Sequence, residues 1–169
     1  MALITKSDIA LHREISRGVK DDKINPFIND AEFLDVRPLL GDKLYHDLVN
    51  NSSEANYAAL LDETEYEYNG VTYINPGLKK VLAIYSYSRY VLFGSFTDTS
   101  FGFVQKTTQD SQAVGDSQKR NIYTQERNTA YNYWLEVAAF LNRNKDDYEF
   151  WNSSSCARRK SGIKISKIS

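Results

Sequence analysis

His12, His46 and Cys156 are the side chains to which chemistry would first fall, and their spacing gives them nothing to share. The histidines stand far apart, so neither supplies the second ligand on one helical turn that a metal site needs. A lone cysteine leaves no intrachain disulfide, and a thiolate metal site would have to recruit other ligand types. The carboxylates come in runs: Asp21-Asp22, Asp146-Asp147, and Glu63, Glu65 and Glu67. Solvated helix ends and strand edges carry such runs as a matter of course. No P-loop, GxSxG or GxGxxG pattern is present, and Cys156 has no local base. The expectation is therefore a protein without catalytic residues, metal or cofactor, although a site assembled from scattered residues stays open at this point.

The elements that would have to position any such residues are mostly helical. With 169 residues the chain suits one domain, which at this size buries roughly 70% of its unfolded surface. Thr5 and Asp8 have capping-box spacing ahead of Ile9, Leu11 and Ile15, which predicts a helix over residues 7–17, ended by Gly18. Ile24, Phe27, Ile28, Ala31 and Leu34 recur at helical steps and predict a second helix to about residue 36, with Pro26 tolerable only in its first turn. Pro38 should push Arg37 out of helical geometry and break the chain there. Asp42 can then cap a short helix carrying Leu44, Tyr45, Leu48 and Val49, and Tyr57, Leu60 and Leu61 mark another.

The strong strand signal comes next. Tyr66-Glu67-Tyr68 and Val71-Thr72-Tyr73-Ile74 flank Asn69-Gly70, which predicts a β-hairpin over about residues 65–74 closed by a type I′ turn. Glu65 and Glu67 alternate with Tyr66 and Tyr68, so one face is acidic and the other aromatic, a pattern of interfaces rather than catalysis. A lone hairpin is marginal in water, so this one lies on the protein's own helices or pairs with a strand from elsewhere. Asn75-Pro76 reads as a helix start, and Leu78 to Phe93 is apolar on nearly every side, as a central helix is. Arg89 within it either meets a carboxylate or reaches solvent along its stem. A last long helix opening at Ser117 carries Tyr123, Arg127, Ala130, Tyr131, Trp134, Val137, Ala138 and Leu141 and should pack along the central one. Tyr148, Phe150 and Trp151 then fold back as an aromatic clasp.

Between the two long helices, residues 94–115 form a polar loop interrupted by Phe101, Gly102, Phe103, Val104, Gln105 and Lys106. Long structureless connections are uncommon in compact domains, and this aromatic run is unlike a disordered linker. It docks either on the chain's own core or on a neighbouring subunit. The fold class expected is mainly α: a small helical bundle over residues 1–151 with one β-hairpin, a long inter-helix loop and an extended basic C-terminal arm over 152–169.

Charge divides the chain in the same place. Arg158, Arg159, Lys160, Lys164 and Lys167 give the segment after Trp151 a charge of +5, and the body before it carries −6. An acidic body suits DNA binding poorly, because gripping phosphates requires clustered Lys and Arg. Ile163, Lys164 and Ile165 alternate as a strand does, and the arm is either a solvated tail or a segment that adds to a partner's sheet edge. A nucleic-acid-binding regulator using this arm is the alternative function. No signal peptide or membrane span is evident, so a soluble protein without membrane contact is expected.

Taken in order, LITKSDI, DVRPLLGDKLYHDL, YEYNGVTYINPGLKKVLAIYSYSRYVLFG, TSFGFVQK and RNTAYNYWLEVAAFLNRN resemble the head-to-tail connector, or adaptor, ring proteins of tailed bacteriophages. The similarity is greatest to ring proteins of crAss-like phages and covers the body up to about Trp151. The resemblance implies a structural virion protein, not an enzyme, assembled in the host cytoplasm into a homo-oligomeric ring, commonly twelvefold. It would sit in the neck beneath the portal protein, contact neighbouring tail rings, and let genomic DNA pass without sequence-specific binding. It places Phe101, Gly102, Phe103, Val104 and Lys106 at subunit or ring contacts. Tyr66, Tyr68 and Tyr73 are further interface candidates, and Arg158, Arg159, Lys160, Ile163, Lys164, Ile165 and Lys167 form the partner-docking arm.

Overall fold

The structure, a computed structural model, describes residues 2–94 and 114–152 and, between them, the backbone of two short strands over 96–99 and 102–105. Helix α1 (Lys6–His12) begins at the anticipated capping box, where the Asp8 carboxylate accepts the Thr5 N–H at 2.7 Å and the Thr5 hydroxyl at 2.8 Å. It stops earlier than its pattern suggested. Arg13 turns extended and meets Glu126 of the last helix at 2.8 Å, leaving Ile9 buried and Leu11 facing outward.

Four expectations fail along the next stretch. Pro26 lies inside α2 (Asp21–Ala31), in its second turn rather than its first. The carbonyl that loses its donor there belongs to Asp22, which is exposed, so the loss costs less than it would in the core. A π-helical turn, Glu32–Val36, then adds a residue to the helical repeat and rotates everything after it, so Asp35 and Val36 point inward and Leu34 outward. The wide turn also lets the chain run past Pro38 without a break. Arg37 stays helical at φ −54°, ψ −44°, and Pro38 takes the start of α3 (Arg37–Leu40), where a missing N–H costs least. The N-cap of α4 (Asp42–Asn50) is Gly41, and Asp42 pairs with Arg37 at 2.8 Å instead.

After α5 (Ala55–Leu61), strands β1 (Thr64–Tyr68) and β2 (Val71–Asn75) pair antiparallel, with Tyr66 opposite Tyr73 and Glu65 opposite Ile74. Asn69 at φ 53° and Gly70 at φ 75° supply the two positive angles of the expected turn. Asn75 does not start the next helix. It is buried at the end of β2, where its side-chain amide donates to the Ala59 carbonyl at 2.7 Å. Helix α6 (Leu78–Phe93) opens two residues later behind Gly77, whose φ is 81° and whose added Cβ would stand 2.7 Å from the Asp62 carbonyl carbon. Only glycine fits this close approach.

The connection after α6, expected as a loop, contains strands. It carries a second antiparallel hairpin, β3 (Phe96–Thr99) and β4 (Gly102–Gln105), with Thr97 opposite Val104 and Asp98 opposite Phe103. Helix α7 (Asp116–Arg143) then runs along α6, the most extensive packing in the molecule, while α1, α2 and the π-turn cover other sides of α6. Val81, Leu82, Ile84, Trp134, Val137 and Leu141 fill the seam. Two of the three clasp residues close it: Tyr148 donates to the Asn56 carbonyl at 2.6 Å, and Trp151 meets Trp134 edge-on at 6.0 Å, but Phe150 stays exposed. The architecture is thus a mainly helical bundle with antiparallel hairpins. No described helix is long and apolar enough to cross a membrane.

Candidate functional site

Acid, base and metal chemistry finds little footing among the described residues. No group of His, Asp and Glu there could hold a metal ion. His12 is held below its ordinary value by burial and by Lys80 and Arg13 nearby, and His46 packs its ring against Tyr45 at 5.4 Å on another helix. One open cleft of about 300 Å³ is lined by Thr5, Lys6, Ile15, Arg17 and Asp21. The Lys6 ammonium is spent there on the Arg17 and Val19 carbonyls.

The buried charges build shape instead. Asp35, brought inward by the π-turn, accepts from Arg89 Nε of α6 at 2.8 Å, and its other oxygen lies 2.8 Å from Arg127 Nη1 of α7. Three elements are thereby pinned to one carboxylate that is 3% exposed. The Arg127 guanidinium also stands over Tyr85 at 5.1 Å and Tyr123 at 5.3 Å. Burial pushes the Tyr85 hydroxyl up to about 12 against the pull of Arg127, so it stays protonated and serves no base. Glu32 performs a similar task at the N-terminus, accepting from Tyr45 at 2.7 Å and from the Leu3 N–H at 3.1 Å. Arg89 thus meets the carboxylate that was one of its two expected ends.

The surface that remains is the β1–β2 hairpin and its surroundings. It pairs with no other strand among the described residues and lays its tyrosine face on α7. Tyr66 stacks on Tyr73 at 5.7 Å and meets Phe140 edge-on at 4.9 Å. Arg143, one turn beyond Phe140, donates to the Tyr66 hydroxyl at 2.6 Å and places its guanidinium 3.8 Å from the Tyr73 ring centre and 5.6 Å from that of Tyr68. Tyr66 and Tyr73 are therefore partly committed to this chain's own body, and Tyr68 at the tip is exposed. On the other face stand Glu65, Glu67 and Ile74, all exposed.

Of the remaining candidates, Gly102, Phe103 and Val104 belong to β4. Phe101 and Lys106 lie outside the described residues, as do Arg158, Arg159, Lys160, Ile163, Lys164, Ile165 and Lys167. Sequence reasoning missed Arg143 and Asp35. The first had a signal, an arginine three residues after an apolar anchor at a helix end. The second had none, because its inward turn depends on the π-helical repeat.

Fold and surface together define a small helical protein that presents antiparallel hairpins. The chain belongs to the family of unknown function DUF6712, whose family model matches residues 36–161. No curated protein and no solved structure matches it.

Proposed function

We propose that this protein is a structural virion component, a connector subunit that assembles into a ring beneath the portal of a tailed phage and continues the DNA channel toward the tail. The observation that supports this reading most is the connection between the two longest helices, which forms its own antiparallel hairpin in the segment resembling the contact loop of phage ring proteins. Ring closure by head-to-tail contacts needs two different patches on each subunit. The β1–β2 hairpin and the β3–β4 connection are two such candidates at different points of the chain. An acidic body before Trp151 suits a channel wall along which a duplex slides.

The test is the double substitution Phe101→Ala and Phe103→Ala. It should leave the helical circular dichroism of the subunit unchanged and weaken its assembly on the portal protein. Loss of the helical signal would instead make this run part of the core and remove it from the interface.

A further inference from the structure

The sequence of the arm after Asn152 and the outer edge of β1 match each other in charge and apolar alternation. A ladder closed by a two-residue turn alternates bonded and non-bonded pairs outward from the turn. Tyr68–Val71, Tyr66–Tyr73 and Thr64–Asn75 are thus the bonded pairs, and the N–H and C=O groups of Glu65 and Glu67 point to the edge away from β2. Among the described residues no strand pairs with the outer edge of β1, and β2 is the strand with the larger share of backbone contacts to α7. Neither Glu65 nor Glu67 has an ion-pair partner among the described residues, whereas Asp62 and Glu63 just before them are engaged by Lys79 and Lys80.

The arm starts from a fixed point on the last turns of α7. Trp151 is fixed by its Nε1–H to Asn142 at 3.0 Å, and the next residue, Arg143, holds Tyr66. From Asn152 to Ile163 the chain can span up to ~35 Å. We infer that Ile163, Lys164 and Ile165 add to the outer edge of β1 of the same chain as a third strand. In that register Ile163 and Ile165 join the tyrosine face beside Tyr66 and Tyr68, and Lys164 stands on the acidic face beside Glu65 and Glu67. A shift by one residue would set Ile against Glu, so side-chain pattern selects the register. Covering the edge also keeps a free strand from pairing with other copies. The inference stands on these residues and not on the connector reading.

Amide hydrogen exchange of the full chain, read residue by residue, tests it. The Glu65 and Glu67 amides should exchange at least about tenfold more slowly than open-edge amides, at a rate unchanged by dilution. Ile163→Asp with Ile165→Asp should abolish that protection while Tyr66 and Tyr68, bonded across to β2, keep theirs and report an intact hairpin. Glu67→Lys should weaken the protection and Lys164→Glu in the same chain should restore it. Unprotected Glu65 and Glu67 amides in the parent, or protection indifferent to the Ile163 and Ile165 substitutions, would overturn the pairing. Protection that fades on dilution would assign the edge to a second copy and overturn it in this chain.

Discussion

Two clusters of arginine and tyrosine sit at opposite depths in this molecule. In the bundle, Arg89 and Arg127 share the buried carboxylate of Asp35 beside Tyr85 and Tyr123. At the hairpin, Arg143 forms no ion pair among the described residues and is held by the hydroxyl of Tyr66 and the ring of Tyr73. The chemistry is related and the energetic roles differ. A buried pair that loses one partner leaves an uncompensated charge, whereas an exposed contact competes with water and mobile ions. The first cluster fixes how the helices pack. The second orients an exposed hairpin.

The largest effect should come from cutting the deep cluster. Asp35→Ala leaves two arginines without their counter-charge and should destabilise the fold by ~3–5 kcal/mol in urea titration. Gly77→Ala should rank close behind, because the new Cβ meets the Asp62 backbone at 2.7 Å in a left-handed conformation. A fall of the thermal midpoint large enough to read in a single scan is expected. Tyr45→Phe removes one donor from buried Glu32 and should cost ~1–3 kcal/mol. If it proves neutral, water has reached that carboxylate and Glu32 is not held as a buried charge.

Smaller effects sharpen the exposed half. Arg143→Ala should barely move the thermal midpoint yet speed amide exchange within β1 and β2, which separates orientation of the hairpin from stability of the bundle. Stability should also decline in alkali. The hydroxyl of Tyr85 is pushed up to about 12 by burial, and those of Tyr45, Tyr57 and Tyr148 are raised for the same first reason. The unfolded chain therefore releases these protons first, so stability present below pH ~10 is lost as pH rises toward ~12. Urea titrations across that window should show the fall, and Tyr85→Phe should make it shallower.

The sequence made one hairpin plain and hid the other. Asn69-Gly70 announces its turn because few residue pairs accept two positive φ angles, and the alternation of Tyr66, Glu67 and Tyr68 carries a strand period. Nothing comparable marks β3 and β4, each four residues long, so the span read as a loop. Helix α6 was legible because apolar residues on all sides leave no other placement. The π-turn was not. Its extra residue per turn is set by how Asp35 and Val36 fit the bundle, and the periodicity of Ile24 to Ala31 simply ran on past it to Leu34. Asn75-Pro76 misled for a similar reason, since the strand ladder and the Ala59 carbonyl claimed the asparagine first. The tyrosines of the candidate surface were visible as an alternating face, but that Arg143 would hold them depends on where α7 ends.

Mass measurement of the full chain, alone and mixed with its portal protein, decides whether it is a connector subunit. A connector subunit should yield one ring-sized complex containing many copies of this chain on the portal, depleted by Phe101→Ala with Phe103→Ala. A chain that keeps its own mass in the presence of the portal is not a portal-binding ring subunit.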